Sequence, residues 1–246
     1  TTQTQPTTAE HTKDATAGDS STRTVDILST ITKRSLRYKA LSQEQTRESN
    51  HKKTDMTDIN PFLRHLLRFE AGVADRNLST DKLFLKAHVK GFANDPDDRG
   101  GATMIGVTLA AFTAWRKQHG RPAPTVKELK ALSYEEWRDI VEKDFWQRCK
   151  ADELKSQSVA MMLADFTFHS GAHGIKALQR VLAVKVDGIM GAQTLSSANA
   201  TPPATLFAAL KAQRLRFLQL IVKNNPRQKK FIKGWITRVE AIPFTD

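Results

Sequence analysis

Asn94-Asp95-Pro96-Asp97-Asp98-Arg99-Gly100-Gly101-Ala102-Thr103-Met104-Ile105-Gly106-Val107-Thr108 sets three carboxylates, three glycines and a hydroxyl at Thr103 within fifteen residues. Few structural turns need that combination. Glycine lets the backbone reach positive φ or approach a bulky group. Carboxylates held on such a turn can do acid, base or electrostatic work. Upstream, Glu70 stands at the end of an expected helix, in Arg68-Phe69-Glu70-Ala71-Gly72.

The chain has 246 residues, an ordinary apolar fraction and a formal net charge of +12. That length suits one large or two small domains. The charge favours an anionic partner: nucleic acid, a membrane surface or an anionic cell-wall polymer. Cys149 is the single cysteine. It excludes an internal disulfide and a thiolate metal cluster, and reads as a packing residue. No apolar run approaches the roughly 18 residues of a membrane span. The N-terminus has no apolar signal-peptide core, so synthesis in the cytoplasm without a cleaved signal is expected. Residues 1–25 hold nine Thr and no aromatic residue, and Tyr38 is the only aromatic before Phe62. Such a segment cannot bury enough apolar surface to offset its ordering entropy. Residues 1–57 are therefore expected to be a disordered or docking tail, with a short amphipathic piece around Val25–Leu41.

From residue 58 the pattern turns helical. Pro61 opens a first helix with an apolar face of Phe62, Leu63, Leu66 and Leu67, closed by Gly72. Ser79-Thr80-Asp81 opens a second and Thr108 a third. Capping boxes stand at Thr125 with Glu128 and at Ser133 with Glu136. The latter should start a long helix running through Trp146. Ser158–His169, Ala172–Leu182, Ala192–Ala198, Pro203–Lys223 and Arg227–Ile242 complete the expected helices. Only Ile105–Thr108 and Val184–Val186 suit strands. The fold class is mainly α, with a small loop or β element at the acidic turn.

These residues carry a resemblance. Asn94–Thr108 is similar to the Asn-Asp-Pro-x-Asp-x-Gly-Gly-x-Thr-x-x-Gly-Val/Ile-Thr signature of glycoside hydrolase family 108, a group of phage and bacterial N-acetylmuramidases. Downstream, Ser158-Val159-Ala160, Ala164-Asp165-Phe166, Ser170-Gly171, Leu178-Gln179 and Asp187-Gly188-Ile189 with Gly191 and Thr194 resemble the peptidoglycan-binding module that accompanies that catalytic segment. The resemblance implies a lysozyme-like helical segment over 58–150 and a helical peptidoglycan-binding module over 151–246 packed on it. It implies cleavage of the β-1,4 bond after N-acetylmuramic acid in the periplasmic wall, with no cofactor. A phage tail or injection apparatus is a further expected partner, reached through the tail.

One departure matters. In the family the catalytic Glu begins Glu-Gly-Gly directly before the Asn-Asp-Pro turn. Ungapped alignment puts Val89 there, and a valine cannot transfer a proton. That alignment gives a catalytically inactive wall-binding component. A second alignment places Glu70-Ala71-Gly72 on Glu-Gly-Gly and an insertion over 73–90. It is preferred, because Glu70 ends an amphipathic helix and an insertion at a helix–loop junction costs little.

The resemblance then assigns roles. Glu70 is the expected proton donor, in apolar surroundings from Leu66, Leu67 and Phe69 that would keep the acid protonated near neutral pH. Asp98 is the second carboxylate, and Thr103 helps place water. Asp95 caps the turn, and with Phe92, Gly100 and Gly101 belongs to the expected substrate-binding set. Asp165, Gln179, Asp187 and Thr194 complete that set from the module.

Rival readings are weaker. An EF-hand counted from Asp95 would need an acid or Asn where Arg99 stands and Glu where Gly106 stands. His169 and His173 are four apart, but Gly171 separates them, and no zinc spacing exists. Between Thr201 and Val239 there are nine Lys or Arg and no acid. Those charges read as a solvated face attracted to the anionic envelope. Nucleic acid is the rival partner, but no recognition motif accompanies the charge. Trp115, Trp137, Trp146 and Trp235 read as core, although one of them could line a sugar cleft.

Overall fold

The computed structural model describes residues 57–94 and 101–246. The tail over 1–56 and the acidic turn over 95–100 lie outside the described residues. Thr54–Asp246 forms one compact unit. Helix α1 (Asn60–Ala71) begins with Pro61 in its first turn and buries Phe62, Leu63, Leu66 and Leu67 completely. Gly72 ends it at φ +66°, its N–H returning to the Arg68 carbonyl and the Val73 N–H to the Leu67 carbonyl. Glu70 thus stands in the last turn. The segment expected as an insertion is not a loose excursion. It contains α2 (Thr80–His88), whose Leu83, Phe84 and Ala87 enter the core.

Strands β1 (Phe92–Ala93), β2 (Thr103–Met104) and β3 (Val107–Thr108) form an antiparallel sheet in that order. Thr103 pairs with Thr108 and Met104 with Val107, so the β2–β3 turn is Ile105-Gly106 alone. Both turn residues have positive φ, +47° and +75°, as a two-residue hairpin of the right twist requires. A β-branched residue resists this conformation. Ile105 is held in it from three sides: its N–H donates to the Gly91 carbonyl at 2.7 Å, its carbonyl accepts from Trp137 Nε1 at 3.1 Å, and its side chain is fully buried. The Val184–Val186 segment expected as a strand is instead the turn after a helix, its Val184 N–H donating to the Gln179 carbonyl.

Helix α3 (Leu109–Gln118) starts at Thr108, whose hydroxyl accepts from the Ala111 N–H. Both capping boxes form, opening α4 (Val126–Lys130) and α5 (Tyr134–Val141). The long helix expected through Trp146 does not continue. After Val141 the backbone widens into a π-helical turn (Glu142–Trp146) and then short 3-10 turns. The reason is on the inner face. Trp137, Ile140 and Val141 point inward, and a regular helix would next bury Asp144. The wide turn buries Trp146 instead, and its Nε1 donates to Asp152 at 2.6 Å.

Helix α6 (Gln157–Ser170) is the centre of the molecule, buried over most of its circumference. Packed around it are α1, α7 (His173–Val181) and α9 (Pro203–Asn224). α8 (Ala192–Ala200) precedes α9, and α10 (Ile232–Glu240) follows a 3-10 turn over Pro226–Phe231. One hydrophobic core runs from Phe62 to Ile242. Cys149 lies in it, donating to Thr167 Oγ1 at 3.2 Å, with burial pushing its thiol up to about 12. Among the described residues no helix is long and apolar enough to cross a membrane.

Candidate active site

The end of α1 and the tip of the β2–β3 hairpin meet. A Cβ at Gly106 would lie 2.8 Å from Glu70 Cδ and 2.7 Å from the Phe168 ring. Glycine is therefore required twice at this position, for its φ and for this approach. The Glu70 side chain is 20% exposed, and Arg238 Nη1 donates to its Oε1. Among the described residues no partner meets Oε2. Val89, the rival position for the acid, ends α2 and is 83% exposed. The surroundings of Glu70 differ from expectation. Leu66 and Leu67 turn into the core, and the carboxylate lies beside Phe168 and a guanidinium.

Arg238 does not stand alone. Its centre lies 5.9 Å from the Phe69 ring and 5.7 Å from the Phe168 ring. Its Nη2 and Nε reach Asp165 at 2.7 and 3.0 Å. Arg214 Nη2 also donates to Asp165, at 2.7 Å. His65 Nε2 is 3.5 Å from the same carboxylate. Asp165 is wholly buried, and two buried cations thus face two carboxylates, which is the condition for burying charge at tolerable cost. Burial acts to raise the Asp165 carboxyl, but Arg238 and Arg214 outweigh it and hold it well below the usual range. Burial likewise opposes the charge of Arg238, and Asp165 and Glu70 outweigh it, so its guanidinium is held above its ordinary value. His169, one turn beyond Asp165, is pushed down to about 3 by burial and by the charges of Arg238 and Arg214. None of Arg214, Arg238, His65 or His169 was singled out by sequence as part of a site. The available signal was Asp165 itself, the one acid in a largely apolar helix, a place that demands a buried cation.

A family model described as Glycosyl hydrolase 108 matches residues 85–171, and one described as Predicted Peptidoglycan domain matches residues 173–240. No curated protein matches the chain. Among solved structures, SagA of Brucella abortus is similar at 33% identity and a TM-score of 0.55, over 65% of this chain and 91% of SagA. The chain belongs to glycoside hydrolase family 108. It is a glycoside hydrolase acting on peptidoglycan, a muramidase. The family 108 match begins past Glu70. What ties Glu70 to the family signature is the packing of its carboxylate on Gly106.

The remaining expected residues of this family 108 enzyme divide. Asp95, Asp98 and Gly100 lie outside the described residues. Thr103 is half-exposed on β2, while its neighbour Met104 is buried. Gly101 takes φ +66° with open space around it. Phe92 is half-buried, with Lys130 Nζ 4.2 Å from its ring centre. Three expected wall-binding residues are buried: Asp165, Gln179 and Thr194 are 0%, 1% and 4% exposed, and their polar atoms are engaged within the protein. Asp165 is the anchor of the arginine pair. Gln179 braces a turn: its Nε2 donates to Asp187 Oδ1 at 2.8 Å and to the Ile189 carbonyl at 3.0 Å, and its Oε1 accepts from the Gly188 N–H. Thr194 Oγ1 accepts from the same amide at 3.4 Å. Asp187 is exposed, but its carboxylate is spent on Gln179 and the Ile189 N–H, which hold it below its ordinary range. Among the described residues no three ligating side chains gather to hold a metal.

Proposed function

We propose that Glu70 is the proton donor of this muramidase. Its Oε2, which no described residue meets, delivers a proton to the glycosidic oxygen as the bond to N-acetylmuramic acid breaks, while Arg238 fixes the carboxylate through Oε1. Asp98 supplies the second carboxylate that stabilises the oxocarbenium-like state or orients water, and Thr103 helps place that water. The observation that carries this reading is the contact of the Glu70 carboxylate with Gly106, the hairpin glycine of the signature that also holds Asp98 and Thr103. An active enzyme is favoured over an inactive wall-binding component for the same reason. We place its action at the periplasmic wall, reached as part of a phage or injection machine. The support there is compositional: a Thr-rich, aromatic-poor tail and a net charge of +12 suited to an anionic envelope.

The test is Glu70→Gln, which keeps an oxygen for Arg238 but cannot donate as an acid. It should stay folded and lose about a hundred- to ten-thousand-fold in release of reducing ends from purified walls. Full activity in the folded variant would refute the assignment.

A further inference from the structure

A row of contacts runs outward from the buried charges along α6 and α10. Arg238 meets Asp165. One turn out on both helices, Trp235 meets His169, with ring centres 5.5 Å apart. Beyond it, Phe231 stacks on Trp235 at 5.8 Å and 27°. Positions 231, 235 and 238 share one side of the chain at helical spacing. The row is therefore continuous with the carboxylate that Arg238 holds.

Trp235 differs from the other tryptophans. Trp115, Trp137 and Trp146 are 6%, 0% and 1% exposed. Their indole N–H groups donate to Asp139, to the Ile105 carbonyl and to Asp152. Trp235 and Phe231 are half-exposed, and the Trp235 Nε1 has no hydrogen-bond partner among the described residues. An indole serving only as core finds a partner for its N–H. A half-exposed aromatic pair with a spare donor is suited to the apolar face and the polar rim of a sugar ring.

We propose that Phe231 and Trp235 form a saccharide subsite beside Glu70, supplied by the C-terminal helices and occupied by an N-acetylated sugar of the glycan strand. Its place beside the scissile bond rests on the reading of Glu70 as the acid. Stacking itself does not.

The test is a titration of the Glu70→Gln protein with a soluble, peptide-free tetrasaccharide of alternating N-acetylglucosamine and N-acetylmuramic acid. Three indoles are buried, so a saturable change in tryptophan emission reports Trp235. Trp235→Phe should abolish that change while keeping most of the affinity. Trp235→Ala and Phe231→Ala should weaken tetrasaccharide binding roughly tenfold. In the otherwise native enzyme both should raise KM on walls by a similar factor and alter kcat less. Phe231 lies outside the core cluster, so Phe231→Ala decides the matter if Trp235→Ala does not fold. Binding with no emission change, or an unaltered KM in folded Phe231→Ala, overturns the subsite. Activity surviving in Glu70→Gln would instead remove the acid assignment and leave the emission result standing.

Discussion

Arg238 is shared between the carboxylates of Glu70 and Asp165, and this shapes the acid stability of the protein. His169 faces Arg238, Arg214, Asp165 and the Trp235 ring. Its Nδ1 is buried without a partner among the described residues. Held near 3 against an ordinary 6.5, it is neutral in the folded state. The unfolded chain takes up a proton there below pH 6.5. The unfolded state therefore binds more protons between pH 6.5 and 3, and stability falls as pH drops through that window, by up to about 1.4 kcal/mol per pH unit. Asp165 acts in a lower window. Its depressed carboxyl stabilises the fold above about pH 4 and that contribution is lost only as pH falls through its folded value. Urea unfolding at pH 7, 6, 5 and 4.5 should show the decline, and His169→Gln should flatten it. An unchanged slope in the variant would exclude His169 as the source. At this scale the sequence was legible for the place of Glu70 at the end of a helix, because an amphipathic run closed by Ala-Gly is a local pattern. It was not legible for Arg214 and Arg238. They stand among nine basic residues in an acid-free stretch, and only three-dimensional packing separates these two buried cations from their solvated neighbours.

The hairpin is the element through which the signature acts. Its glycines read in sequence as aids to a bulky ligand or to positive φ. At Gly106 the φ is positive, and the bulky groups are Glu70 and Phe168 of the protein itself. Gly106→Ala should therefore cost about 1–3 kcal/mol through backbone strain and overlap. Displacing the Glu70 carboxylate by near an ångström should also lower wall cleavage about a hundredfold. Gly120→Ala is the control. Gly120 has φ +65° and nothing within 4 Å of an added Cβ, so it should show the strain in its melting temperature with cleavage intact. Equal cleavage by the two variants would mean that Gly106 does not position the acid. Caps and boxes were legible because they are local: Thr125 with Glu128 and Ser133 with Glu136 need only one turn of helix. The π-helical turn after Val141 was not, because it is set by a choice between Asp144 and Trp146 for the core, which no local propensity records. Val184–Val186 misled for a similar reason. Its β-branched residues suit a strand, but the buried Gln179 amide gathers the following turn around itself.

Across the whole molecule, the two segments that sequence separates are joined by charge as well as by apolar packing. Asp165 and Glu70 lie before residue 171, and the arginines that neutralise them come from α9 and α10. A catalytic fragment of residues 57–171 would keep Asp165 on the central helix and lose both cations. Removing one partner of a buried pair costs about 3–5 kcal/mol, against a total stability of roughly 5–15 kcal/mol for a typical domain. The fragment would also expose the face of α6 that packs on α7 and α9, with Met162, Leu163 and Phe166 fully buried in the intact chain. It should therefore lack a cooperative thermal transition and cleave no wall. The missing parts are non-covalent, so co-expression with residues 172–246 should restore both the transition and cleavage. The same pairing carrying Arg238→Met in the second piece should recover less of each, since among the described residues Asp165 then keeps the Arg214 guanidinium and Glu70 no cation. A 57–171 fragment that melts cooperatively and cuts walls unaided would show that the C-terminal helices are an accessory to the active site and not a part of it.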